Sequence, residues 1–407
     1  MIHKRTVLFL TILSMFMWSV LGSIPSTFAT AHLEPVIEQM VTLVKSPGQI
    51  LVKESWYHTQ SKDERHDELQ YSYAGSEEIE MRRMLVKEQG KKVYKMIQKQ
   101  GKTTEETGTG PYQTSILPGK TLFQSLLDAY QTSEWTSTGT VGLDSKLAEK
   151  KIRVVRESAA VYTEVVYLEK QTGLPMKKEY YQGSDISKAP EITEVYFFEK
   201  VHDPAGAVFT IPNSQTHNTN IEHVKRISIS GSSIKFSKNW HNPQNGDERF
   251  EFFDYGFKSN ESMSSQWIVN QQGKKGKEFY QMRKEQGEIT EKTESKPGEF
   301  IPPRLSSFQS KKGPEWKRTK IMNFDGKKVQ VYKRVDTEPK GFSTKVAFVN
   351  EETGLPMKEE HYWTYLDEEY YEQNFGIVPE REPQLTSIYF FENVQDPNGI
   401  LFKIPQK

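Results

Sequence analysis

Few residues in this 407-residue sequence are spaced for chemistry. His58 and His66 bracket Asp63 and Glu64, a donor set that a divalent cation could use. The second half of the chain places Asn242 and Phe250 at the matching positions, so the simpler reading is a solvated hairpin end. Ser232 and Lys235 form an S-x-x-K pair without the companion motifs of an acylating serine, and read as neighbours on a strand edge. Gly119-Lys120-Thr121 matches the end of a phosphate-binding loop, but Thr114 replaces the glycine that must precede it and no parallel βα unit surrounds it. The patterns G-x-S-x-G, H-E-x-x-H and C-x-x-C are absent. The expectation is a protein that is not an enzyme, with no catalytic residue, no metal site and no cofactor.

What recurs instead is apolar and aromatic. Trp56 is matched by Trp240, Trp135 by Trp316 and Met176 by Met357, each pair at equivalent places in the two halves of the chain. These six are the candidate lining of an apolar ligand cleft. Core packing is the plainer role for each, because tryptophan brings a large apolar area and methionine adapts to irregular gaps.

The elements that must position them follow from repetition. TGLPMK occurs at 172–177 and again at 353–358, and YFFEKVHDPAGAVFTIP at 196–212 matches YFFENVQDPNGILFKIP at 389–405. Upstream, Asp63-Glu64-Arg65 corresponds to Asp247-Glu248-Arg249, while Tyr94 and Met96 correspond to Tyr280 and Met282. The chain is therefore two copies of one module of about 180 residues: a first domain over 32–213, a linker over 214–220 and a second domain over 221–407. So short a linker predicts modules lying side by side with some mutual contact and relative motion.

Within each module, alternation dominates. Leu69, Tyr71 and Tyr73 take one face of a strand, as do Val161, Thr163, Val165 and Tyr167 of another. Gly90-Lys91, Gln100-Gly101 and Thr172-Gly173 punctuate the strands as hairpin turns. Two segments read as helical: about Glu34 to Lys45, from Ile37, Met40, Val41 and Val44, and Leu122 to Tyr130, whose second-copy counterpart, Pro302 through Phe308, is shorter and broken. The fold class expected is α+β and mostly β: two tandem domains, each a curved antiparallel sheet, a half-barrel, with helices on its concave face.

Composition narrows the setting. The 54 basic and 54 acidic side chains cancel, which argues against nucleic acid as a partner. His3, Lys4 and Arg5, the apolar run from Val7 to Leu21, and Ala29-Thr30-Ala31 together read as an export signal over 1–31. An uncleaved N-terminal membrane anchor is the alternative, although the run falls short of the ~20 residues a spanning helix needs. With no cysteine anywhere, the chain has no disulfide and no lipobox. The protein is expected to be exported, secreted or held in the cell envelope.

The order of elements, the turns Gly173-Leu174-Pro175 and Gly354-Leu355-Pro356, and the final Y-x-F-x-x-V-x-D-P strand resemble the LolA/LolB-like superfamily of lipoprotein carriers and the related sensor domains that regulate envelope sigma factors. The resemblance covers both copies. It implies a half-barrel holding acyl chains or another apolar partner under a helical lid. Two functions follow as expectations: a non-enzymatic binding protein for a lipid, a lipoprotein or another apolar envelope ligand, and, alternatively, a regulatory module that contacts a membrane or envelope protein.

Overall fold

The computed structural model describes residues 36–74, 77–110, 116, 119–157, 160–202, 221–257, 262–273, 276–285, 288–294, 316–338, 341–365 and 383–394. The export signal, the linker, the Asp-Pro ends of both modules and the stretch 302–308 lie outside them.

The first module runs β1 (Val36–Ser46), β2 (Gln49–His58), β3 (Glu64–Ser72), β4 (Glu78–Lys87), β5 (Lys92–Lys99), β6 (Lys102–Thr109), helix α1 (Leu122–Ala129), β7 (Thr136–Leu143), β8 (Lys146–Glu157), β9 (Ala160–Glu169), β10 (Pro175–Gln182) and β11 (Ile192–His202). The second repeats the strands as β12 (Ile221–Ser230), β13 (Ser233–His241), β14 (Glu248–Gly256), β15 (Ser262–Gly273), β16 (Gly276–Glu285), β17 (Glu288–Glu294), β18 (Lys317–Phe324), β19 (Lys327–Glu338), β20 (Gly341–Asn350), β21 (Pro356–Tyr365) and β22 (Leu385–Val394). Each module is one eleven-stranded antiparallel sheet, in the orders β6-β5-β4-β3-β2-β1-β11-β10-β9-β8-β7 and β17-β16-β15-β14-β13-β12-β22-β21-β20-β19-β18. Successive hairpins build each sheet, and one pairing of first strand with last joins its halves. The edge strands do not pair with each other, so both sheets stay open, as half-barrels do. The mostly β, two-domain architecture expected from the repeat is the one observed.

The helix expected over Glu34 to Lys45 is a strand. β1 sits in the middle of its sheet between β2 and β11, and Ile37, Val41, Leu43 and Val44 are all buried. A strand covered on both faces loses its two-residue alternation, and its apolar run mimics a helical stripe. The other helix forms where the spacing places it. Thr121 caps α1 by accepting from Gln124 N–H, while the Gln124 side chain accepts from Thr121 N–H. Leu122 and the partly buried Phe123 and Leu126 pack with Tyr57 and Met40, and Phe123 meets Phe198 edge to face. Helix α1 thus covers the face of the first sheet that carries Met40, Tyr57 and Phe198.

The opposite face of that sheet packs against the second sheet. Val41, Leu43, Ile50, Val52 and Leu69 share one core with Ile227, Ile234, Phe236, Phe253 and Ile388. Its edges are closed by reciprocal contacts: Ile79 N–H donates to Asp325 Oδ1 at 3.1 Å, and Met263 N–H donates to Asp144 Oδ1 at 3.0 Å. Ile79 and Met263 occupy the same place in their modules, as do Asp144 and Asp325, so the interface has the self-complementary form of a two-fold dimer within one chain. Asp144-Ser145 and Asp325-Gly326 are tight hairpin turns with positive φ at both residues. A Cβ at Gly326 would lie 2.4 Å from the Gln100 carbonyl oxygen, so the closeness of this turn to the first module depends on glycine.

Candidate functional site

Cross-strand register builds an ion cluster where the two inner faces meet. In the first sheet, Val41, Glu54, Asp67, Arg83 and Met96 stand side by side across five strands. The same rung of the second sheet is Lys225, Lys238, Glu251, Trp267 and Met282. An adjacent rung holds Gln39, Trp56, Arg65, Leu85 and Tyr94 in one sheet, and His223, Trp240, Arg249, Val269 and Tyr280 in the other. Glu199 and Glu392 extend this second rung on β11 and β22.

The charges pair across the junction. Lys238 Nζ lies 2.8 Å from Glu54 Oε1 and 2.5 Å from Glu251 Oε2. Lys225 Nζ lies 2.8 Å from Asp67 Oδ2 and 3.1 Å from Glu54 Oε2. Arg83 grips Asp67 with two bonds of 2.9 and 2.8 Å and reaches Glu392 Oε2 at 2.8 Å. Arg65 makes a second two-bonded contact to Asp67, and Arg249 pairs with Glu251. The Glu54 and Asp67 side chains have no exposed surface and that of Lys225 keeps 1 %, so these ions survive burial only because each has partners on more than one side. Burial alone would raise the Asp67 carboxyl, but Arg65, Arg83 and Lys225 overcome it and hold it well below the usual carboxylate range. Against the same penalty, Lys238 and Arg249 hold Glu251 at about 2. Burial lowers the His223 imidazole, which stacks on Trp240 at 4.5 Å.

One cleft of about 270 Å³ opens at this junction. Ile79 and Met81 of the first sheet and Leu355, Met357 and Phe390 of the second give it apolar walls, and the charged Asp325, Lys327 and Glu392 also line it. In both modules the ladder to the last strand stops at equivalent pairs, Lys177 with Val195 and Lys358 with Ile388, so the turn before the penultimate strand parts from the last strand in each. At the first module's counterpart turn, Leu127 of α1 stands directly over Gly173.

The six residues singled out from the sequence do not gather in one place. Trp56 is buried with Ile37, Leu85 and Tyr94 beneath the Arg65 guanidinium, and Trp240 is its twin with Ile221, Val269 and Tyr280 beneath Arg249. Trp135 lies on the other face of the first sheet with Tyr130, Val166 and Leu168, donating from Nε1 to Ala129 O at 3.1 Å. Trp316 is partly buried just before β18. Met176 is buried with Leu143 and Ala148 against Met263 of the second sheet. Only Met357 lines the cleft. His58 and His66 are engaged locally: His58 Nδ1 accepts from Ser61 N–H, and His66 contacts Glu64 and Ser55. Among the described residues no three His, Asp or Glu side chains are grouped to hold a metal.

The ion cluster was not foreseen from the sequence, although a signal existed. Glu54 is in phase with Ile50, Val52 and Trp56, and Lys238 with Ile234, Phe236 and Trp240, so each is a charge on an otherwise apolar strand face.

Fold and site together define a protein of two open antiparallel sheets paired face to face around a buried ion cluster. No protein-family model matches the chain and no curated protein matches it.

Proposed function

We propose that this is an exported, non-enzymatic binding protein of the cell envelope that takes an apolar ligand, a lipid acyl chain or the acyl group of a lipoprotein, in the cleft between its modules. The observation that carries the reading is the cleft's wall, in which Ile79 and Met81 from one module face Leu355, Met357 and Phe390 from the other. The inner sheet faces are occupied by each other, so the ligand is assigned to the junction and not to a separate hollow in each sheet. At about 270 Å³ the space is at the small end for organic ligands and suits one chain segment. Burying about eight methylenes would gain about 6 kcal/mol. The resemblance to lipoprotein carriers supports the same ligand class.

The test fills the cleft. N-phenylnaphthylamine, whose fluorescence rises in apolar surroundings, is expected to bind the wild-type protein, and Met357→Trp and Leu355→Trp to weaken binding at least fivefold with unfolding unchanged. A wild-type protein that neither binds the probe nor carries lipid into an organic extract analysed by mass spectrometry would sink the proposal.

A further inference from the structure

We infer that the inner face of the first module is matched to the second module and mismatched to a copy of itself, and that Glu54 and Lys238 are the residues that make the distinction. This concerns how the modules recognise each other and is independent of the ligand.

Glu54 and Lys238 hold the same position in their repeats. They are 184 residues apart, the separation that also relates Trp56 to Trp240, and yet they touch each other. In a two-fold interface, a residue that meets its own equivalent lies beside the axis. There a pair of identical modules would set like against like: glutamate on glutamate for the first module, lysine on lysine for the second. Only the mixed pair gives attraction, at 2.8 Å, and both side chains are closed off from water, where an unmatched charge is least tolerated.

The surrounding charges agree. Glu54 and Asp67 take Lys225 and Lys238 from across the junction, whereas the position equivalent to Lys225 in the first module is Val41. Two first modules facing each other would bury two Glu54 carboxylates at the centre with no lysine to meet them, while each Asp67 kept only the arginines of its own module, Arg65 and Arg83. The reciprocal edge contacts of Asp144 and Asp325, by contrast, would form equally well between identical modules. Selectivity therefore resides at the centre of the interface.

The test uses the full chain as wild type, Glu54→Lys, Lys238→Glu and the swap carrying both. Each single reversal is expected to lower the melting temperature by roughly 5–10 °C, and the swap to recover more than half of the combined loss. The two singly reversed chains, unfolded in urea and refolded together, are expected to yield a dimer of one chain of each kind by native mass spectrometry, because the lysine introduced at 54 meets the glutamate introduced at 238; neither chain refolded alone gives it. Where a reversed chain does not fold, Glu54→Gln, Lys238→Met and their combination supply the same reading, the combination costing less than the sum of its parts. Additive losses, or a co-refolded mixture containing only single-chain masses, overturn the inference.

Discussion

Glu392 and Glu199 occupy one position in two copies of a single pattern, each at the end of the rung that carries a tryptophan and an arginine. Glu392 has Arg83 at 2.8 Å and Lys225 at 3.9 Å. Burial opposes its ionisation, yet those two cations hold its carboxyl well below the ordinary range. For Glu199 the positions that would supply the equivalent cations hold Trp267 and Val41. Burial, and then the neighbouring Glu251 carboxylate, push Glu199 up to about 7 against the pull of Lys238, Lys284 and Arg249. The strand frame is the same at both ends. Two substitutions on one rung decide which acid is anchored by cations and which is pushed towards its neutral form, so duplication copied the scaffold while the electrostatics diverged.

The sharpest way to break this contrast is to strip Glu392 of its anchor. Arg83→Met leaves Asp67 and Glu392 buried with fewer partners and is expected to cost about 3–5 kcal/mol in urea unfolding at pH 7. Asp67 and Glu392 are both held well below their ordinary values, so their stabilisation is present above the unfolded values of 3.8 and 4.5 and is lost as pH falls through the lower folded values. Arg83→Met should accordingly flatten the acid limb of the wild-type stability curve. A loss below 1 kcal/mol would mean that Lys225 and Arg65 suffice without it.

Glutamine at the two equivalent positions sharpens the contrast by its sign. A carboxyl raised to about 7 favours its neutral form in the folded protein, so the contribution of Glu199 to stability declines as pH rises from about 4.5 to about 7 and is flat beyond. Glu199→Gln mimics the neutral form and is expected to stabilise by about 1–3 kcal/mol at pH 8 and not at all at pH 4. Glu392→Gln removes a charged acceptor from Arg83 and is expected to destabilise by about 2 kcal/mol at both pH 6 and pH 8. Two shifts of the same sign would show that the two ends are equivalent after all.

The scaffold was far more legible than the cluster it carries. Literal repeats such as TGLPMK revealed two modules, and Gly90, Gly101 and Gly173 marked turns, because turn geometry constrains residue type locally. The segment Val36–Ser46 reads as a helix because burial on both faces, a property of the assembled sheet, erases the alternation that marks a strand. Glu54 and Lys238 do not stand out in the sequence because glutamate and lysine on alternating strands usually face water; only the pairing of the sheets turns those faces inward. The cleft depends on packing beyond the repeat: Met176 and Met357 lie beside equivalent ladder ends, yet Met176 is packed with Leu143 and Ala148 and only Met357 lines the cleft.

The smallest effect is expected where the copies remain alike. Asp144 and Asp325 each accept a backbone N–H from the opposite module at equivalent positions, and burial raises both carboxyls. Asparagine keeps the accepting oxygen and discards the buried charge, so the lost charge-assisted bond and the relieved desolvation oppose each other. Asp144→Asn and Asp325→Asn are each expected to shift stability by less than about 0.5 kcal/mol, with matching sign and size. A mismatch of more than about 1 kcal/mol between them would place the divergence of the two modules at the rim of the interface as well as at Glu199 and Glu392, and symmetric edge contacts would then no longer explain why an asymmetric centre is needed to choose the partner.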